Sequence, residues 1–463
     1  LMGRETRSSK IFGGGAGCAS CPGVGVDVIN GELKVNSQGI HLQSLGFPVM
    51  IDFSYRHQDS YDGIFGYGRG AIGELGNEIV DLDDGDAYGT AFLRKDNGKR
   101  VFYNGYGDNV SWLPEPGFNN TLEKHPDGSW TEHRATYFQG DYDAYGIIQS
   151  ITSPEGQTHY YQYDPASEGY DQLPTAIVDA SGRAVYLGYD ANDRVETIED
   201  WSGRVFYFGY DDTYGVMTSV RNCDCHTYFG YDEDKRLTGI VDGNGNPVYF
   251  SYNQQNRVES EHIPGIGTTY FSYDDDAGET TVIDPLGDVT YYSHVGQNIM
   301  GMKRLLADGT RIEEQYAGDN ATRDPLGRST YFAHDIYSNL TGVVDPLGHG
   351  SYFAYDHFGN LRGETDARGN SAFNLHDQYG NRTRSFDKVG AVSYFTYDSQ
   401  GNMLSSTDPR SNTSYFQYDA YGRQTSETDP LGHTAYSEYD LLGLMTAAKN
   451  KRGYSTYYEY DDC

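Results

Sequence analysis

The sequence predicts an all-β protein in which hairpins of about 21 residues pair into one long coiled β-sheet. The first observation is a fixed period: the second Tyr of an aromatic-aromatic-x-Tyr-Asp run stands at Tyr189, Tyr210, Tyr231, Tyr252 and Tyr273. The second is composition, with 43 Tyr and 58 Gly among 463 residues. The third is a pair of turn signals in each period. Together they are typical of a large twisted sheet with many tight turns.

The repeated Tyr position predicts a structural ladder of aromatic side chains across neighbouring hairpins, because equivalent residues of adjacent strands lie side by side. Three histidines hold this position in some repeats, and they are most simply read as replacements of Tyr: His294, His334 and His376. The predicted ladder comprises Tyr163, Tyr189, Tyr210, Tyr231, Tyr252, Tyr273, Tyr355, Tyr397, Tyr418, Tyr439 and Tyr460.

One repeat illustrates the expected hairpin. In Ser414–Asp419, alternation places Phe416 and Tyr418 on one face of the sheet, and Tyr415 and Gln417 on the other. The Asp that follows is a turn former, and the Gly after it supplies positive φ for a bulged loop. A second turn closes the repeat, as at 345–348 (DPLG), where Pro and Gly suit a β-turn.

The chain divides into three parts by pattern. A flexible lead containing Gly and Cys is predicted for residues 1–22, because these residues lack a periodic pattern of apolar side chains. Residues 23–141 predict a β region that leads into the repeats, with a hairpin at Asn30-Gly31. Residues 142–463 predict the repeat array. About thirty strands cannot form a stable flat sheet, so the array is expected to coil into a hollow spiral, tube or shell.

Charge excludes several function classes. The net charge is −33, which argues against nucleic-acid binding and against an anionic membrane surface. No stretch approaches 18 consecutive apolar residues, so membrane insertion is not expected. The chain begins at Leu1, and we expect a processed or truncated product.

Five cysteines are candidates for disulfides: Cys18, Cys21, Cys223, Cys225 and Cys463. The Cys18-x-x-Cys21 pair and the Cys223-Asp-Cys225 pair could together ligate zinc, but CxC is poor zinc geometry and the pairs are far apart. We therefore predict disulfides in an oxidising compartment, with their connectivity left open, and no metal site.

No catalytic or cofactor-binding residue is predicted. Signatures of Ser-His-Asp hydrolases, HExxH proteases, P-loops and dinucleotide folds are absent from the sequence. The many Asp residues fall at turn starts, which explains most of them without acid–base chemistry. The protein is expected not to be an enzyme and to need no cofactor.

These motifs resemble the RHS/YD-repeat family, which includes bacterial RHS proteins, the shell components of Tc toxins and teneurin shells. The Y-x-Y-D-x-x-G-R/N core and the D-P-x-G turns carry the resemblance over about two thirds of the chain, and Val26–Val35 and Ile51–Arg56 resemble the lead-in of the family. The resemblance implies a β-sheet that spirals into a hollow shell, with little catalysis by the repeats. Toxin-type members end in a closing module that releases a toxin, whereas this sequence ends after a repeat at Cys463, so no DPLG turn is assigned a protease role.

The favoured function is a non-enzymatic scaffold of a secreted or cell-surface bacterial protein that assembles with copies of itself into a filament or sheath. A constant repeat gives constant curvature, which suits a regular rod. The alternative is a fragment of a cocoon that encloses a toxin or other cargo. A further alternative is a Tyr-rich surface for adhesion to carbohydrate or protein.

Overall fold

The computed structural model describes residues 5–7 and 23–460. Within that span it leaves out 43, 45–46, 59–61, 68, 73–77, 82–89, 95–99, 106–110, 115–119, 135–137, 165–171, 223–224, 297, 307–310, 317–320, 325–327, 336–338, 357–358 and 442. Every helix-or-strand element of the described residues is a β-strand. The predicted all-β fold, built of hairpins in a long sheet, is therefore confirmed.

The first strands form a small N-terminal sheet. These strands are β1 (Glu5–Arg7), β2 (Gly23–Asp27), β3 (Leu33–Leu42), β4 (Val49–Arg56), β5 (Asp62–Gly63), β6 (Gly66–Tyr67) and β7 (Arg69–Ile72). Five of them pair in the order β1-β2-β3-β4-β7, and β5 pairs with β6. The hairpin predicted at Asn30-Gly31 joins β2 to β3, and Gly31 has a φ of 68°.

A second sheet contains all the remaining strands. Its first part is β8 (Glu78–Asp81), β9 (Thr90–Arg94), β10 (Arg100–Gly105), β11 (Ser111–Pro114), β12 (Thr121–Lys124), β13 (Trp130–His133), β14 (Gln139–Tyr142), β15 (Ile148–Thr152) and β16 (Thr158–Tyr163). Its middle part is β17 (Pro174–Val178), β18 (Ala184–Tyr189), β19 (Val195–Glu199), β20 (Val205–Tyr210), β21 (Met217–Asn222), β22 (Cys225–Tyr231), β23 (Leu237–Val241), β24 (Pro247–Tyr252), β25 (Val258–Ile263), β26 (Gly267–Asp274), β27 (Glu279–Ile283), β28 (Val289–Val295), β29 (Asn298–Leu305) and β30 (Arg311–Tyr316).

The last part of this sheet is β31 (Ala321–Arg323), β32 (Ser329–His334), β33 (Leu340–Val344), β34 (Gly350–Tyr355), β35 (Leu361–Thr365), β36 (Ser371–His376), β37 (Arg382–Phe386), β38 (Val392–Tyr397), β39 (Met403–Thr407), β40 (Thr413–Tyr418), β41 (Gln424–Thr428), β42 (Thr434–Tyr439), β43 (Met445–Lys449) and β44 (Ser455–Tyr457). Consecutive strands pair antiparallel without interruption from β8 to β44. A defined register joins each of these neighbours, so the sheet is one continuous ribbon.

Both turns of a repeat use the same loop, because both begin with Asp and place Gly three residues later. At Asp179, the backbone N–H of Gly182 donates to the Asp carbonyl at 2.9 Å, and the carboxylate accepts from the N–H groups of Ser181 and Arg183. The loop after Tyr418 repeats this pattern, with Arg423 donating to the Asp419 carboxylate. Gly182 has a φ of 84°, which explains the Gly at this position. The N–H groups that donate to this carboxylate lie two and four residues after the Asp.

The ribbon coils so that a later part lies edge to edge against an earlier part. The turn between β15 and β16 meets the turn between β38 and β39, where a Cβ at Gly401 would lie 2.6 Å from Oε1 of Glu155. The indole N–H of Trp201, after β19, donates to the carbonyl of Leu441, after β42, at 3.3 Å. The Arg183 guanidinium, after β17, lies 4.2 Å from the ring centre of Tyr421, after β40.

All three contacts join turns that are 23 strands apart in the ribbon. At about 4.8 Å per strand, one winding is on the order of 110 Å around and roughly 35 Å across. The offset must be odd, because successive turns of an antiparallel ribbon lie on alternate edges. Only turns that are an odd number of strands apart lie on opposite edges, and opposite edges are the ones that meet when one winding lies beside the next. We call residues 148–283 the first winding and residues 340–457 the second winding.

Candidate functional site

The ladder Tyr of each repeat is held by its hydroxyl. Tyr189 donates to the carbonyl of Pro174 at 2.7 Å, and Tyr210 donates to the carbonyl of Val195 at 2.7 Å. The acceptor is always the residue 15 positions earlier, at or beside the start of the preceding hairpin's second strand. The same bond is made by Tyr163, Tyr252, Tyr273, Tyr397, Tyr418, Tyr439 and Tyr460. Nine of the eleven predicted ladder Tyr therefore tie their repeat to the one before it by a side chain as well as by strand pairing.

Two ladder positions differ. Tyr231 accepts a hydrogen bond from Nη2 of Arg69 at 3.0 Å. Tyr355 lies half-buried in β34. Burial raises the pKa of Tyr189, Tyr210 and Tyr231, so these hydroxyls stay protonated as donors or partners across the physiological range. His334 and His376 end β32 and β36 at the predicted Tyr position, and His294 lies in β28.

The inner face of the first winding is filled by the chain's own N-terminal sheet. The residue two positions before the ladder Tyr is buried in every described repeat of this winding, at Tyr161, Leu187, Phe208, Phe229, Phe250 and Phe271. Val24, Leu33, Ile51, Phe53 and Phe65 of the N-terminal region join the same core cluster. Phe53 and Phe65 lie 5.9 Å and 5.6 Å from the ring of Phe208.

The contacted face must be concave. The N-terminal sheet has five strands and is about 20 Å wide, yet its contacts reach from His159 in β16 to Tyr273 in β26. Eleven strands span about 50 Å of ribbon, so they can touch one small sheet only by wrapping around it. The face that carries Phe208 and Tyr210 is therefore the inside of the coil.

The N-terminal sheet also reaches the ribbon edge formed by the Tyr-Asp turns of the first winding. The N–H of Val195 donates to Ile64, the N–H of Val258 donates to Gly31, and the N–H of Tyr67 donates to Gly215. Tyr55 accepts from the N–H of Leu237 at 2.9 Å. These main-chain bonds place the sheet across one end of the coil.

Two buried histidines lie in this contact. The N–H of Leu33 donates to Nδ1 of His57 at 2.7 Å, so Nε2 of His57 carries the proton and donates to the carbonyl of Asn256 at 2.9 Å. His159 stacks on Phe47, with ring centres 3.7 Å apart, and its Nε2 lies 3.3 Å from Oγ of Ser44. Both histidines bridge the N-terminal region and the ribbon.

Burial lowers the pKa of both histidines, in the case of His159 to about 4. Asp179 raises and Arg183 lowers the pKa of His159, but burial dominates. Ser44 donates to Oδ2 of Asp179 at 2.8 Å, so the ring of His159 donates to Ser44 rather than activating it. This Ser, His and Asp group is fully enclosed and lacks the order of a nucleophilic triad, in which the His lies between the other two.

Arg69 is a second buried polar group that sequence reasoning missed. Its side chain is fully buried among Phe53, Tyr55 and Phe229, with the guanidinium carbon 4.2 Å from the Phe229 ring centre. Apart from Nη2, which meets Tyr231, its nitrogens Nε and Nη1 have no hydrogen-bond partner among the described residues. Cation–π contacts therefore hold this charge and fasten the N-terminal sheet to the ribbon.

The second winding has the same inner-face positions but no such filling. Phe353, Phe395 and Phe416 are only half-buried, whereas their counterparts in the first winding are buried. An open cleft of about 630 Å³ lies on this part of the ribbon and is lined by Leu404, Phe416, Tyr418 and neighbouring polar residues. The interior of the second winding thus leaves aromatic rings partly exposed among polar side chains.

The outer face carries a row of exposed aromatic rings, one for each repeat. Tyr249 and Tyr352 pair across the strand with Gly239 and Gly342, so the rings lie over backbone. The row comprises Tyr160, Tyr186, Tyr207, Tyr228, Tyr249, Tyr270, Tyr331, Tyr352, Phe373, Tyr394, Tyr415, Tyr436 and Tyr457, with exposed fractions from 42% to 77%.

The two free edges of the coil differ in their turn tips. We call the Tyr-Asp turns of the first winding, beside the N-terminal sheet, the capped rim. Its exposed tips carry carboxylates: Asp193, Asp212, Glu233, Asp234, Asp275 and Asp276. Asp212, Asp234 and Asp275 pair with arginines of the same rim, whereas Asp193, Glu233 and Asp276 make no ion pair within the described residues.

We call the opposite edge, formed by the second turns of the second winding, the open rim. The third residue of successive turns alternates between apolar and Arg, as Leu347, Arg368, Val389, Arg410, Leu431 and Arg452. The three apolar tips have exposed fractions of 76%, 88% and 82%. The three Arg tips are exposed and make no ion pair within the described part of the chain. This alternation, with a period of 42 residues, was present in the sequence but was not recognised there.

The cysteine predictions fall largely outside the described residues. Cys18, Cys21, Cys223 and Cys463 lie outside them, and Cys225 begins β22, half-buried and opposite Asn222. The disulfides therefore stay a prediction. Among the described residues, no group of three His, Cys, Asp or Glu side chains is arranged to hold a metal ion. In the same residues, no helix has the length and hydropathy needed to cross a membrane.

The fold and the loop chemistry define a coiled sheet of Tyr-Asp hairpins with a shell-like interior. Residues 89–288 match the family described as Teneurin YD-shell. Residues 397–435 and 418–456 match the family described as RHS Repeat. Family models of YD shells and RHS repeats thus match two parts of the chain, which confirms the resemblance that its motifs indicated. No curated protein matches the sequence.

Solved structures of Tc toxins are similar to the chain at low identity. The Tc holotoxin pore of Photorhabdus luminescens is 11% identical, with a TM-score of 0.47 over 92% of this chain and 27% of that one. The complex TcdB2-TccC3-Cdc42 is 12% identical, with a TM-score of 0.43 over 95% and 29%. TcdB2-TccC3 without its hypervariable C-terminal region is 12% identical, with a TM-score of 0.41 over 87% and 24%. The chain thus spans less than a third of the length of these structures.

Proposed function

We propose that this chain is a non-enzymatic wall of a hollow container, closed at one end by its own N-terminal sheet, which encloses a polypeptide cargo outside the cell. The observation that carries the proposal is the difference between the two inner faces. Phe229 is buried under the N-terminal sheet, whereas Phe395, at the same position of its hairpin, faces the lumen half-exposed. An exposed aromatic interior is a surface that an apolar chain segment would cover.

The proposal gives the repeats no catalytic role, because their chemistry is used for structure. The Asp carboxylates accept from the backbone of their own turns, as Asp398 does from Gln400 and Asn402. The ladder hydroxyls donate to main-chain carbonyls of the preceding hairpin, as Tyr418 does to Met403. An inner face that exposes aromatic rings among polar groups already paired within the ribbon suits a loosely structured polypeptide better than a small polar substrate.

A photocrosslinking experiment on the native protein tests this proposal. p-Benzoylphenylalanine is placed at Phe395, on the inner face, or at Tyr394, the next residue, which is 47% exposed on the outer face. We expect position 395 to capture one defined polypeptide in near-stoichiometric amount, protected from protease, and position 394 to leave it uncaptured.

Two results would overturn the container. One is that neither position captures a polypeptide in material isolated from its natural source. The other is that both positions capture the same mixture of polypeptides in proportion to the exposure of the side chain. That result would indicate nonspecific binding to an exposed surface rather than an enclosed cargo. Thermal unfolding of both variants checks that the coil is intact.

A second candidate is the self-assembling filament or sheath that the constant repeat favours, again at the cell surface. The specific observation in its support is that the two rims differ in charge, with carboxylate tips at the capped rim and Arg tips at the open rim. Oppositely charged ends favour association of copies in one direction. Electron microscopy of native material separates the candidates, because a container gives discrete particles and a filament gives rods.

A further inference from the structure

We propose that the open rim of one copy binds the capped rim of a second copy, so that coils stack head to tail. This inference rests on the second candidate above and names its interface. The Arg368, Arg410 and Arg452 tips of one copy would face the Asp193, Glu233 and Asp276 tips of the next. Within each set the tips lie on every second turn of one ribbon edge, four strands or about 19 Å apart.

The contact between windings within one chain supplies the geometry. There, an edge of second turns from the first winding meets an edge of Tyr-Asp turns from the second, as Arg183 meets Tyr421. The open rim is an edge of second turns, and the capped rim is an edge of Tyr-Asp turns. Stacking two copies would therefore repeat, in the same direction, a contact that the chain already makes with itself.

The edge formed by the second turns is covered in the first winding and exposed in the second, and the residues at the turn tips differ between these two parts. Where the second winding covers the first, the third residues of the turns are Glu155, Ser181 and Ser202. On the open rim they are Leu, Val and Arg, with Leu347, Val389 and Leu431 almost fully exposed. Isolated exposed apolar residues are ordinary, but these three recur on every second turn of one edge, about 19 Å apart, with an Arg tip between neighbours.

Charge decides between possible occupants of the open rim. The chain carries a net charge of −33, so a second copy is repelled in most orientations. Within the described residues, the Arg tips of the open rim form no ion pair, and neither do Asp193, Glu233 and Asp276 of the capped rim, whereas Asp212, Asp234 and Asp275 do. Rim-to-rim contact is the orientation in which the unpaired charges of two copies are complementary. Since the two surfaces differ, the contact is heterologous and propagates unless a rotation closes it.

Access to the capped rim is preserved. The N-terminal sheet packs inside the ribbon and against its edge, but the turn tips remain outside, with side-chain exposures of 85% for Asp212, 76% for Asp234 and 66% for Asp275. Binding of a second copy therefore does not require the N-terminal sheet to leave.

A charge-swap experiment tests the stacking. One variant carries Arg368→Glu, Arg410→Glu and Arg452→Glu, and a second carries Asp193→Lys, Glu233→Lys and Asp276→Lys. Sedimentation velocity is measured at low salt with reducing agent present, so that disulfides of Cys18, Cys21 or Cys463 cannot join copies. We expect wild type to form multiples of 51.6 kDa, and each variant alone to associate at least tenfold more weakly.

The mixture of the two variants is the decisive sample. Reversed Glu tips face reversed Lys tips in alternating copies, so we expect association to return to the wild-type level. The control carries Arg362→Glu and Arg384→Glu within β35 and β37, away from both rims, and should associate as wild type does. Wild type that stays at the mass of one chain, or a mixture that fails to associate, overturns the proposal. Neither result bears on cargo capture at position 395, so the container proposal is tested independently of the stacking proposal.

Discussion

The first and second windings are built from the same hairpin, but different material covers their inner faces. In the first winding, Phe208, Phe229 and Phe250 are buried by the N-terminal sheet. In the second, Phe353, Phe395 and Phe416 are half-buried and face the lumen. The hairpin with its two Asp loops therefore forms in both windings, with its inner face packed in one and half-exposed in the other. Strand pairing, turns and the ladder hydroxyls maintain the ribbon, and core packing adds to it in one winding only.

The largest expected difference concerns inner-face truncation. Phe229→Ala removes a ring that packs on Arg69 and leaves a cavity, so we expect a loss of about 3–5 kcal/mol of unfolding free energy. Phe395→Ala, at the same position of the second winding, should cost roughly half as much or less, because the ring is already half-exposed. Urea unfolding of the two variants makes the comparison. Equal losses would show that the second inner face is packed as tightly as the first.

A pH effect from buried histidines should arise in the first winding. The folded-state pKa of His159, about 4, lies below the value of 6.5 for an exposed imidazole, so the unfolded chain takes up the proton first as pH falls. The contribution is complete above pH 6.5 and is lost between 6.5 and about 4, by at most about 3 kcal/mol. His57, whose pKa burial also lowers, acts in the same direction.

The control variant for this pH effect replaces His159, whose neighbours in the fold are known. His159 faces Ser44, Phe47, Asp179 and Arg183. The charge of a protonated His159 would be repelled by Arg183 and attracted by Asp179. His159→Val uses the residue that holds the same buried position in the next hairpin, Val185. We expect this variant to have a flatter stability profile between pH 6.5 and 4. An unchanged profile would mean that the carboxylates of the turns, rather than this histidine, govern acid sensitivity.

Removal of the ladder hydroxyl should lower the unfolding free energy by a smaller amount, and by less in the second winding than in the first. Tyr210→Phe leaves the carbonyl of Val195 without its donor inside the coil, which should cost about 1–3 kcal/mol. Tyr418→Phe removes the matching bond to Met403, at 3.0 Å, from a less buried site where water can replace the hydroxyl, so we expect less than about 1 kcal/mol. Thermal unfolding measures both. A larger loss for Tyr418→Phe would reverse the stated order of burial.

The smallest effect should be equal in the two windings. Gly203 and Gly432 occupy the same loop position with φ of 86° and 84°, and a Cβ would meet no neighbour at either. Substitution by Ala should therefore cost about 1 kcal/mol at both, from backbone conformation alone. Unequal costs, measured by denaturant midpoint, would show that the loops of the two windings differ after all.

Much of the local structure could be predicted because it depends on short-range chemistry. The period of the ladder Tyr, the alternation around Phe416 and the Asp and Gly of each turn determine a hairpin from interactions within one repeat. The family followed from the same motifs. The hydroxyl bond of Tyr210, by contrast, was not foreseen, although the sequence signal was present: Tyr, and not Phe, recurs at that position.

By itself the sequence determined the all-β class, the hairpin unit and the need to coil, since a ribbon so wide cannot stay flat. Only the tertiary structure decided how far the ribbon turns before it meets itself, because the offset of 23 strands is the accumulation of small twists that no single repeat encodes. That offset brings Arg183 to Tyr421, and wrapping brings Arg69 and the N-terminal sheet to Phe229. Contacts between residues so distant in the chain follow from global curvature, which is why identical hairpins acquire a filled interior in one winding and an open one in the other.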